Sequence, residues 1–256
     1  MIDKLAFVHP DAKIGDNVTI GPWSYIGADV EIGDDCWISS HVVIKGPTHI
    51  GRANRIFQFA SVGEECQDKK YAGEPTRLII GDNNIIRESV TIHRGTIQDN
   101  SETRIGSNNL FMAYVHIAHD CVVGNNVIMA NNASIAGHVH VDDFAILGGM
   151  TGVHQFVHIG AHAFTAGASL ILQDVPPFVM ASGQAATPRG LNFEGMKRRG
   201  YSKEVQQAMR RAYKAFYRSS FTVDEAINAL TDDAANFSEV QNFIDFVRQS
   251  SRGIIR

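Results

Sequence analysis

The sequence contains no long apolar run and only three cysteines, and both features narrow what the protein can be. No stretch approaches the roughly 18 apolar residues of a membrane-spanning helix, and the opening segment MIDKLAFVHP lacks the apolar centre of a secretory signal. We therefore expect no membrane span and a cytoplasmic location. Cys36, Cys66 and Cys121 are expected to be small spacers in an inward column of the core, and neither disulfides nor metal ligands.

Recognised nucleic-acid-binding motifs are also absent, although basic residues are concentrated near the C-terminus. Acidic residues outnumber basic ones before residue 188, and the balance reverses after it. The basic cluster consists of Lys197, Arg198, Arg199, Arg210, Arg211, Lys214 and Arg218. Such a cluster suits phosphate groups or an acidic protein, and the simpler alternative is a solvated helix surface. We expect no nucleic-acid partner.

The sequence is dominated by a six-residue repeat. An aliphatic residue recurs at every sixth position, and a column of small or branched residues follows each one four positions later. The first run is Val8, Ile14, Ile20, Ile26, Ile32, Ile38, Ile44, Ile50, Ile56 and Val62. This period fits neither an α-helix nor a long strand, and it is typical of a β-helix whose coils bury their apolar columns by stacking. Gly, Asn and Asp between the columns suit tight corners.

The repeat is interrupted twice and then stops. Residues 68–79 and 98–104 break its phase and are predicted to be loops ejected from corners, where solenoids often meet ligands. Helical patterns replace it near the C-terminus, including the possible capping boxes Thr222–Glu225 and Ser238–Gln241. The expected organisation is an all-β solenoid over residues 1–187 and a small α-helical domain over residues 188–256.

The hexapeptides resemble those of the hexapeptide acyltransferases. That resemblance implies a left-handed parallel β-helix, with three hexapeptides in each triangular coil. Residues one coil apart then lie above one another, about 4.8 Å apart. The motif HIAHDC, residues 116–121, would accordingly place His119 under Gly137 and Asp120 under His138.

Both His119 and Asp120 occupy outward positions in this arrangement, because Ile117 and Cys121 fill the inward ones. A histidine beside a carboxylate, beneath a glycine that leaves room for a substrate atom, is a candidate general base. Two alternatives stay open at this point. Exposed histidines commonly have no function, and histidines between β-helical subunits can bind zinc.

Longer segments that do not follow the repeat give a more specific match. They are QDKKYAGEPTRLIIGDNNIIRESVTIHRGT (67–96), VHIAHDCVVGNN (115–126), GHVHVDDFAILGGMTGVHQF (137–156), QDVPPFV (173–179) and NFEGMKRRG (192–200). Over nearly the whole chain, the sequence resembles the family of UDP-N-acetylglucosamine O-acyltransferases that begins lipid A biosynthesis.

This resemblance implies that an R-3-hydroxyacyl group passes from acyl carrier protein to the glucosamine 3-hydroxyl of UDP-N-acetylglucosamine. It implies a homotrimer with sites between subunits, and neither a metal nor another cofactor. His119 would be the general base, Asp120 its orienting partner, and the Gly137 N–H a donor to the developing oxyanion. A glycine at Gly167 would permit a longer acyl chain than a bulky residue would. The basic helices would receive acyl carrier protein.

The resemblance also assigns the residues that would contact the UDP-sugar. Those implied for the sugar and diphosphate are Asp68, Lys70, His116, His138, His154 and Gln155, and those implied for the nucleotide are Asn192, Glu194, Arg198 and Arg199. The two arginines suit phosphate because a guanidinium presents a planar fork of donors.

Four rival functions stay open on the sequence. An N-acyltransferase of the same pathway would carry an additional N-terminal nucleotide-binding domain, whereas hexapeptides here begin at residue 8. A related enzyme with a 3-amino sugar as acceptor would have a similar pocket. A zinc-dependent hydratase or a noncatalytic binding scaffold could be built on the same solenoid.

Overall fold

The chain folds into a three-sided solenoid of very short strands, followed by short helices. The computed structural model describes all 256 residues. The strands in chain order are β1 Phe7–Val8, β2 Lys13–Ile14, β3 Thr19–Ile20, β4 Tyr25–Ile26, β5 Val30–Ile32, β6 Trp37–Ile38, β7 Val43–Ile44, β8 Thr48–Ile50, β9 Arg55–Ile56, β10 Ser61–Glu64, β11 Arg77–Ile80, β12 Ile85–Ile86, β13 Thr91–His93, β14 Glu102–Ile105, β15 Leu110–Phe111, β16 His116–Ile117, β17 Val122–Val123, β18 Ile128–Met129, β19 Ser134–Ile135, β20 His140–Val141, β21 Ile146–Leu147, β22 Gly152–Val153, β23 His158–Ile159, β24 Phe164–Thr165, β25 Leu170–Ile171, β26 Val179–Gly183 and β27 Ala186–Leu191. The helices are α1 Phe193–Arg198, α2 Lys203–Tyr217, α3 Val223–Asn228, α4 Thr231–Asn236 and α5 Ser238–Gln249.

Every third strand lies on the same face of the solenoid, and its neighbours there are parallel. Face I has the order β1-β4-β7-β10-β13-β16-β19-β22-β25, and face II has the order β2-β5-β8-β11-β14-β17-β20-β23. Face III runs from β3 through β6, β9, β12, β15, β18, β21 and β24, and the antiparallel hairpin β26–β27 completes it. The chain therefore visits faces III, I and II in turn, and the III–I, I–II and II–III corners form the three edges.

The aliphatic columns fill the interior, as the repeat predicts. Ile26, Ile44 and Ile117 are completely buried, and they belong to one apolar cluster of 61 residues. Cys36 and Cys121 lie in this cluster, and no disulfide forms. The prediction that all three cysteines occupy the inward column is wrong for Cys66, which is buried outside the cluster because the chain leaves the regular coil after β10.

The corners turn through residues in the left-handed backbone region. Asp120, His138 and Phe156 have φ values of 58°, 62° and 65°, and a residue of this kind recurs at almost every corner. Asp and Asn tolerate this region. Rings at successive corners of one edge can stack, as His138 does on Phe156 with ring centroids 4.4 Å apart.

Part of the interior is polar in a way that the aliphatic repeat does not predict. Asn54, Asn84 and Asn109 are at most 1% exposed and form a ladder through three coils. Each accepts a hydrogen bond at Oδ1 from the backbone of the next coil, and Asn84 Nδ2 donates to the carbonyl oxygens of Gly81 and Gly106. The ladder thereby satisfies corner groups that would otherwise be buried without partners.

Both interruptions of the repeat are ejected segments, but they are shifted towards the N-terminus relative to the predicted bounds. The first occupies residues 65–76 and the second residues 94–101, because 77–79 and 102–104 are strand. In β11 and β14 these residues pair with one another, from Arg77 with Glu102 to Ile80 with Ile105. The pairing of the two strands closes both insertions on face II and returns the chain to the regular coil.

The helical region begins slightly later than the sequence suggests. β27 runs across the expected boundary at residues 187 and 188, and α1 starts at Phe193. The capping box of Thr222 and Glu225 is present, but the one predicted at Ser238 is wrong, since Phe237 is the N-cap and Ser238 is already helical. None of the helices is both long and apolar enough to cross a membrane.

The asparagine ladder predicts a specific stability defect. Replacing Asn84 with Ala removes the acceptor of the Asn109 N–H and a donor to the Gly106 carbonyl, both in the interior. We expect a loss of roughly 2 to 4 kcal/mol in unfolding free energy. Urea unfolding at fixed protein concentration measures it, and exposed Asn228, on α3, gives the control Asn228→Ala. Equal midpoints for the two variants would contradict a structural role for the ladder.

Candidate active site

The HIAHDC motif crosses the I–II edge between β16 and β17. His119 and Asp120 project outward from this corner, while Ile117 and Cys121 are completely buried. Gly137 occupies the corresponding corner one coil further on. A Cβ atom added to Gly137 would lie 2.5 Å from Cε1 and 2.7 Å from Nε2 of His119, so the imidazole fills the space that only glycine leaves open. The predicted stacking of His119 and Gly137 is confirmed.

His119 is oriented by its neighbour in the chain. Its Nδ1 lies 2.8 Å from Asp120 Oδ2, and since an ionised carboxylate only accepts, Nδ1 carries the proton. Nε2 has no partner within the chain and is the remaining basic nitrogen. The His119 side chain is 14% exposed and that of Asp120 only 1%, so the imidazole can meet a ligand and the carboxylate cannot.

The Asp120 carboxylate is held in its ionised form. Burial by itself would raise its pKa, but hydrogen bonds from His119 and from the Thr96 side chain and backbone outweigh burial and keep the pKa below its usual range. The Asp120 N–H donates to Thr103 Oγ1 at 2.8 Å, which also fixes the backbone at this left-handed position.

A cavity of about 530 Å³ opens on face I beside His119 and extends over five coils, from β13 to β25. It is lined by Gln67, Asp68, His93, His116, Ala118, His119, Ser134, Ile135, Ala136, Gly137, Gly152, Val153, His154, Gln155 and Leu170. The structure thus brings together six of the predicted site residues, namely His119, Gly137, Asp68, His116, His154 and Gln155. We call this space the face I cavity.

His93 lines the cavity, although the sequence predicts no role for it. Its ring meets that of His116 edge-on with centroids 5.0 Å apart, and His116 Nδ1 lies 2.7 Å from Thr91 Oγ1. Burial first, and then the charge of His116, lower the pKa of His93 to about 4, so this ring is neutral near pH 7. The proximity of His93 and His116 cannot be found by counting coils, because the second insertion lies between them. It separates the paired residues Thr91 and His116 by 25 positions instead of 18.

The four residues implied for the nucleotide lie elsewhere on the same chain. Asn192, Glu194, Arg198 and Arg199 line a second cavity of about 530 Å³ on face III, together with outward residues of β18, β21, β24 and β26. Lys197 pairs with Glu194 at 2.9 Å, and the Arg199 guanidinium stacks over Phe144 at 3.9 Å from the ring centroid. We call this space the face III cavity; within one chain it does not join the face I cavity.

The remaining predicted residues lie around the face I cavity and do not line it. Lys70 is exposed on the first insertion, and Gly167 is exposed at the III–I edge, where an added Cβ would contact only the Gly149 carbonyl oxygen at 3.3 Å. His138 adjoins His119, since the two rings meet edge-on at 5.2 Å, and His138 Nδ1 lies 3.1 Å from Asp99 Oδ2.

A metal-binding geometry is available at the same corner. His119, Asp120 and His138 each offer one ligand atom, and these atoms lie within 4.8 Å of one another. His119 Nδ1 already donates to Asp120 Oδ2, so a metal ion bound by these two atoms would have to replace that hydrogen bond.

Comparison with known sequences gives close matches over the full chain. The chain is 58% identical over 256 residues to the acyl-[acyl-carrier-protein]–UDP-N-acetylglucosamine O-acyltransferase of Stutzerimonas stutzeri strain A1501. The match covers 100% of this chain and 99% of that relative. Residues 174–255 match the family described as UDP N-acetylglucosamine O-acyltransferase, domain 2. Residues 102–137 match the bacterial transferase hexapeptide, and residues 2–104 match the GMPPB C-terminal domain.

Solved structures of similar proteins have the same fold. The LpxA structure from Acinetobacter baumannii is 51% identical, covers 100% of this chain and 99% of its own, and superposes with a TM-score of 0.97. A UDP-N-acetylglucosamine acyltransferase from Francisella novicida is 44% identical with coverage of 100% and 94% and a TM-score of 0.98, and one from Arabidopsis is 37% identical with coverage of 100% and 100% and a TM-score of 0.87. The predicted left-handed parallel β-helix with a small helical region is confirmed.

The buried neutral histidine predicts a pH dependence of stability. The unfolded chain binds a proton at His93 near pH 6.5, whereas the folded protein does so only near pH 4, so stability is lost as the pH falls from 6.5 towards 4. We expect His93→Gln to flatten the decline of the urea midpoint between pH 7 and pH 5. Exposed His49 on face II supplies the control His49→Gln. An NMR titration of His93 near pH 6.5 would contradict the assignment.

Proposed function

The chain belongs to the UDP-N-acetylglucosamine O-acyltransferases, the family that its motifs predict, and on that premise we propose how its own residues carry the reaction. It is an acyltransferase that acts on acyl-[acyl-carrier-protein] and UDP-N-acetylglucosamine. An R-3-hydroxyacyl chain passes to the glucosamine 3-hydroxyl, the first step of lipid A biosynthesis. The observation that carries the mechanism is the His119 imidazole beneath Gly137, with Nδ1 bound to Asp120 and Nε2 free.

In the proposed reaction, Nε2 of His119 removes the proton from the sugar 3-hydroxyl as its oxygen attacks the thioester carbonyl. A neutral imidazole is a suitable base near pH 7, whereas a free sugar hydroxyl is a poor nucleophile. The tetrahedral intermediate then breaks its C–S bond, and the leaving thiolate takes the proton from His119. Asp120 stabilises the imidazolium that exists between these two steps. The reaction so written needs neither an acyl-enzyme nor a metal.

The oxyanion of the intermediate requires a donor, for which the Gly137 N–H is available. This N–H has no acceptor in the chain, whereas its neighbours Ala136 and His138 donate to Val153 and His119. It lies at the wall of the face I cavity next to His119. A donor at such a position typically contributes about 10²- to 10³-fold to the rate.

We propose a homotrimer because the two cavities of one chain lie on different faces. Faces I and III meet at the III–I edge, where Trp23, Phe59, Tyr114 and Met150 are between 60% and 68% exposed. Packing three such edges around a common axis would bury these side chains. It would also bring face I of one subunit against face III of the next, so that the face I cavity of one chain and the face III cavity of another form one site.

The substrate would span this joint site. We assign the sugar and diphosphate to Asp68, Lys70, His116, His138, His154 and Gln155, and the nucleotide to Asn192, Glu194, Arg198 and Arg199 of the neighbouring subunit. Gly167 would border the acyl channel at the III–I edge, where it leaves space for a long chain.

We also propose a cytoplasmic location, because the reducing cytoplasm is the compartment that suits three free cysteines.

Acyl carrier protein would dock on the basic helices. Arg211, Lys214 and Arg218 border a surface pocket of about 490 Å³ between α2 and the turn that follows α3. Arg211 is paired with Asp233, but Lys214 and Arg218 form no ion pair and offer positive charge to an acidic partner. Charge complementarity of this kind mainly accelerates association.

Removal of the proposed base tests the reaction. We expect His119→Ala to lower kcat by about 10²- to 10⁴-fold with the fold intact. His49→Ala removes an exposed histidine of face II and should leave kcat unchanged. The assay is mass spectrometry of the UDP-sugar formed with a panel of hydroxyacyl carrier proteins, with the 3-amino sugar as a rival acceptor. Full activity of His119→Ala would support a scaffold role and defeat the mechanism.

The assembly makes a separate prediction. Light scattering after size exclusion should give three times the 28.0 kDa chain mass for the natural protein. The double variant Tyr114→Glu, Met150→Glu places charge on the III–I edge and should yield monomers with little activity, because the two half-sites separate. Phe221→Glu alters an exposed ring between α2 and α3, outside that edge, and should remain trimeric. A trimeric, active double variant would refute the proposed contact.

The metal-dependent alternative has one observation in its favour, the ligand-like grouping of His119, Asp120 and His138. Metal analysis of the purified protein distinguishes it from base catalysis. One zinc per active site, lost together with activity on chelation, would establish the alternative. Full transferase activity after chelation would exclude it.

A further inference from the structure

The second insertion contacts the buried Asp120 carboxylate through a residue that does not line the face I cavity. It leaves face I after β13 and returns at β14, and within it Thr96 is only 3% exposed. The Thr96 N–H donates to Asp120 Oδ1 at 2.8 Å, and its Oγ1 donates to Oδ2 at 2.6 Å. One residue thus engages both oxygens of the carboxylate.

These contacts fix the rotation of the Asp120 carboxylate. Oδ2 also accepts the bond from His119 Nδ1 at 2.8 Å, so it is held by two donors at once. A rotated carboxylate would lose both Thr96 bonds together with the histidine bond. Because the Asp120 side chain is 1% exposed, water is not available as a substitute donor.

The same insertion also contacts the second histidine beside the carboxylate. His138 Nε2 lies 3.8 Å from Asp120 Oδ2, and its Nδ1 is bound by Asp99 at 3.1 Å. The insertion therefore contacts Asp120 directly through Thr96 and indirectly through Asp99 and His138. Neither Thr96 nor Asp99 lines the face I cavity.

We propose that Thr96 is a positioning residue for the acyl transfer, and that it acts by holding the Asp120 carboxylate in the orientation that keeps the proton of His119 on Nδ1 and leaves Nε2 free to act as the base. This inference rests on the proposed function of His119. It gives the second insertion a role distinct from ligand contact.

The test uses variants that separate the hydroxyl from the rest of the side chain. Thr96→Val keeps the shape and the backbone N–H bond but removes the Oγ1 donor, whereas Thr96→Ser retains the hydroxyl. We expect kcat to fall about tenfold in Thr96→Val, with little change in KM for UDP-N-acetylglucosamine, and to recover most of its value in Thr96→Ser. Gln98→Ala, at an exposed position of the same insertion, is the matched control.

A second measurement is independent of activity. In the substrate-free protein, ¹⁵N shifts of His119 report which ring nitrogen is protonated, and a ¹³C titration of the Asp120 carboxyl reports its pKa. Since the Thr96 hydroxyl bond lowers that pKa, it should rise in Thr96→Val and remain low in Thr96→Ser, and the acid-side loss of kcat/KM should begin at a higher pH. Thr96→Ala against Thr96→Ser gives the same comparison if valine prevents folding.

The outcomes separate failure of the positioning role of Thr96 from failure of the proposed base role of His119. Unchanged tautomer, pKa and kcat in Thr96→Val would overturn the positioning role even if His119→Ala is inactive. If the tautomer and the pKa change in Thr96→Val but His119→Ala keeps full activity, Thr96 orients Asp120 as proposed and the His119 mechanism is wrong. Reduced kcat that Thr96→Ser does not restore would assign the loss to packing and overturn the inference.

Discussion

The structure depends on the register in which each coil bonds to the next. Backbone groups along each face pair with the coil below, as Ile117 does with Ile135 and Val123 with Val141. A residue is therefore fixed relative to the positions one coil before and after it, although its strand has only two residues. His119 and Gly137 are neighbours for this reason alone, and so are the rings of His138 and Phe156.

The proposed oxyanion donor is an N–H group that the corners leave without an acceptor. At three successive coils of the I–II edge, the corresponding N–H groups of His119, Gly137 and Gln155 donate to no acceptor in the chain. What distinguishes the middle coil is its glycine, which lets an imidazole approach where any Cβ would collide with it. The site thus arises from a common feature of the solenoid together with one small residue and one histidine beside a buried carboxylate.

The sequence predicts the periodic part of the molecule well, because each hexapeptide repeats the same physical requirement. The stacking of His119 and Gly137 follows from the coil length alone. Features that depend on other coils are harder to predict from the sequence. The Asn54–Asn84–Asn109 ladder occupies the column expected to hold small or branched residues, and Cys66 leaves that column where the chain departs from the coil. His93 and Thr96 are displaced in register by the insertions, so their contacts with His116 and Asp120 cannot be obtained by counting residues.

Because each coil passes through all three faces in a fixed order, the positions at which the chain can change in length are restricted. Adding or deleting a single hexapeptide between residues 120 and 136 would turn everything downstream by one face, so that Gly137 would leave the edge occupied by His119. A whole coil could be added there only by separating the same two residues along the axis. Length variation is therefore confined to segments that leave a corner and return to it, as the insertions at 65–76 and 94–101 do, or to coils outside the interval that contains the site.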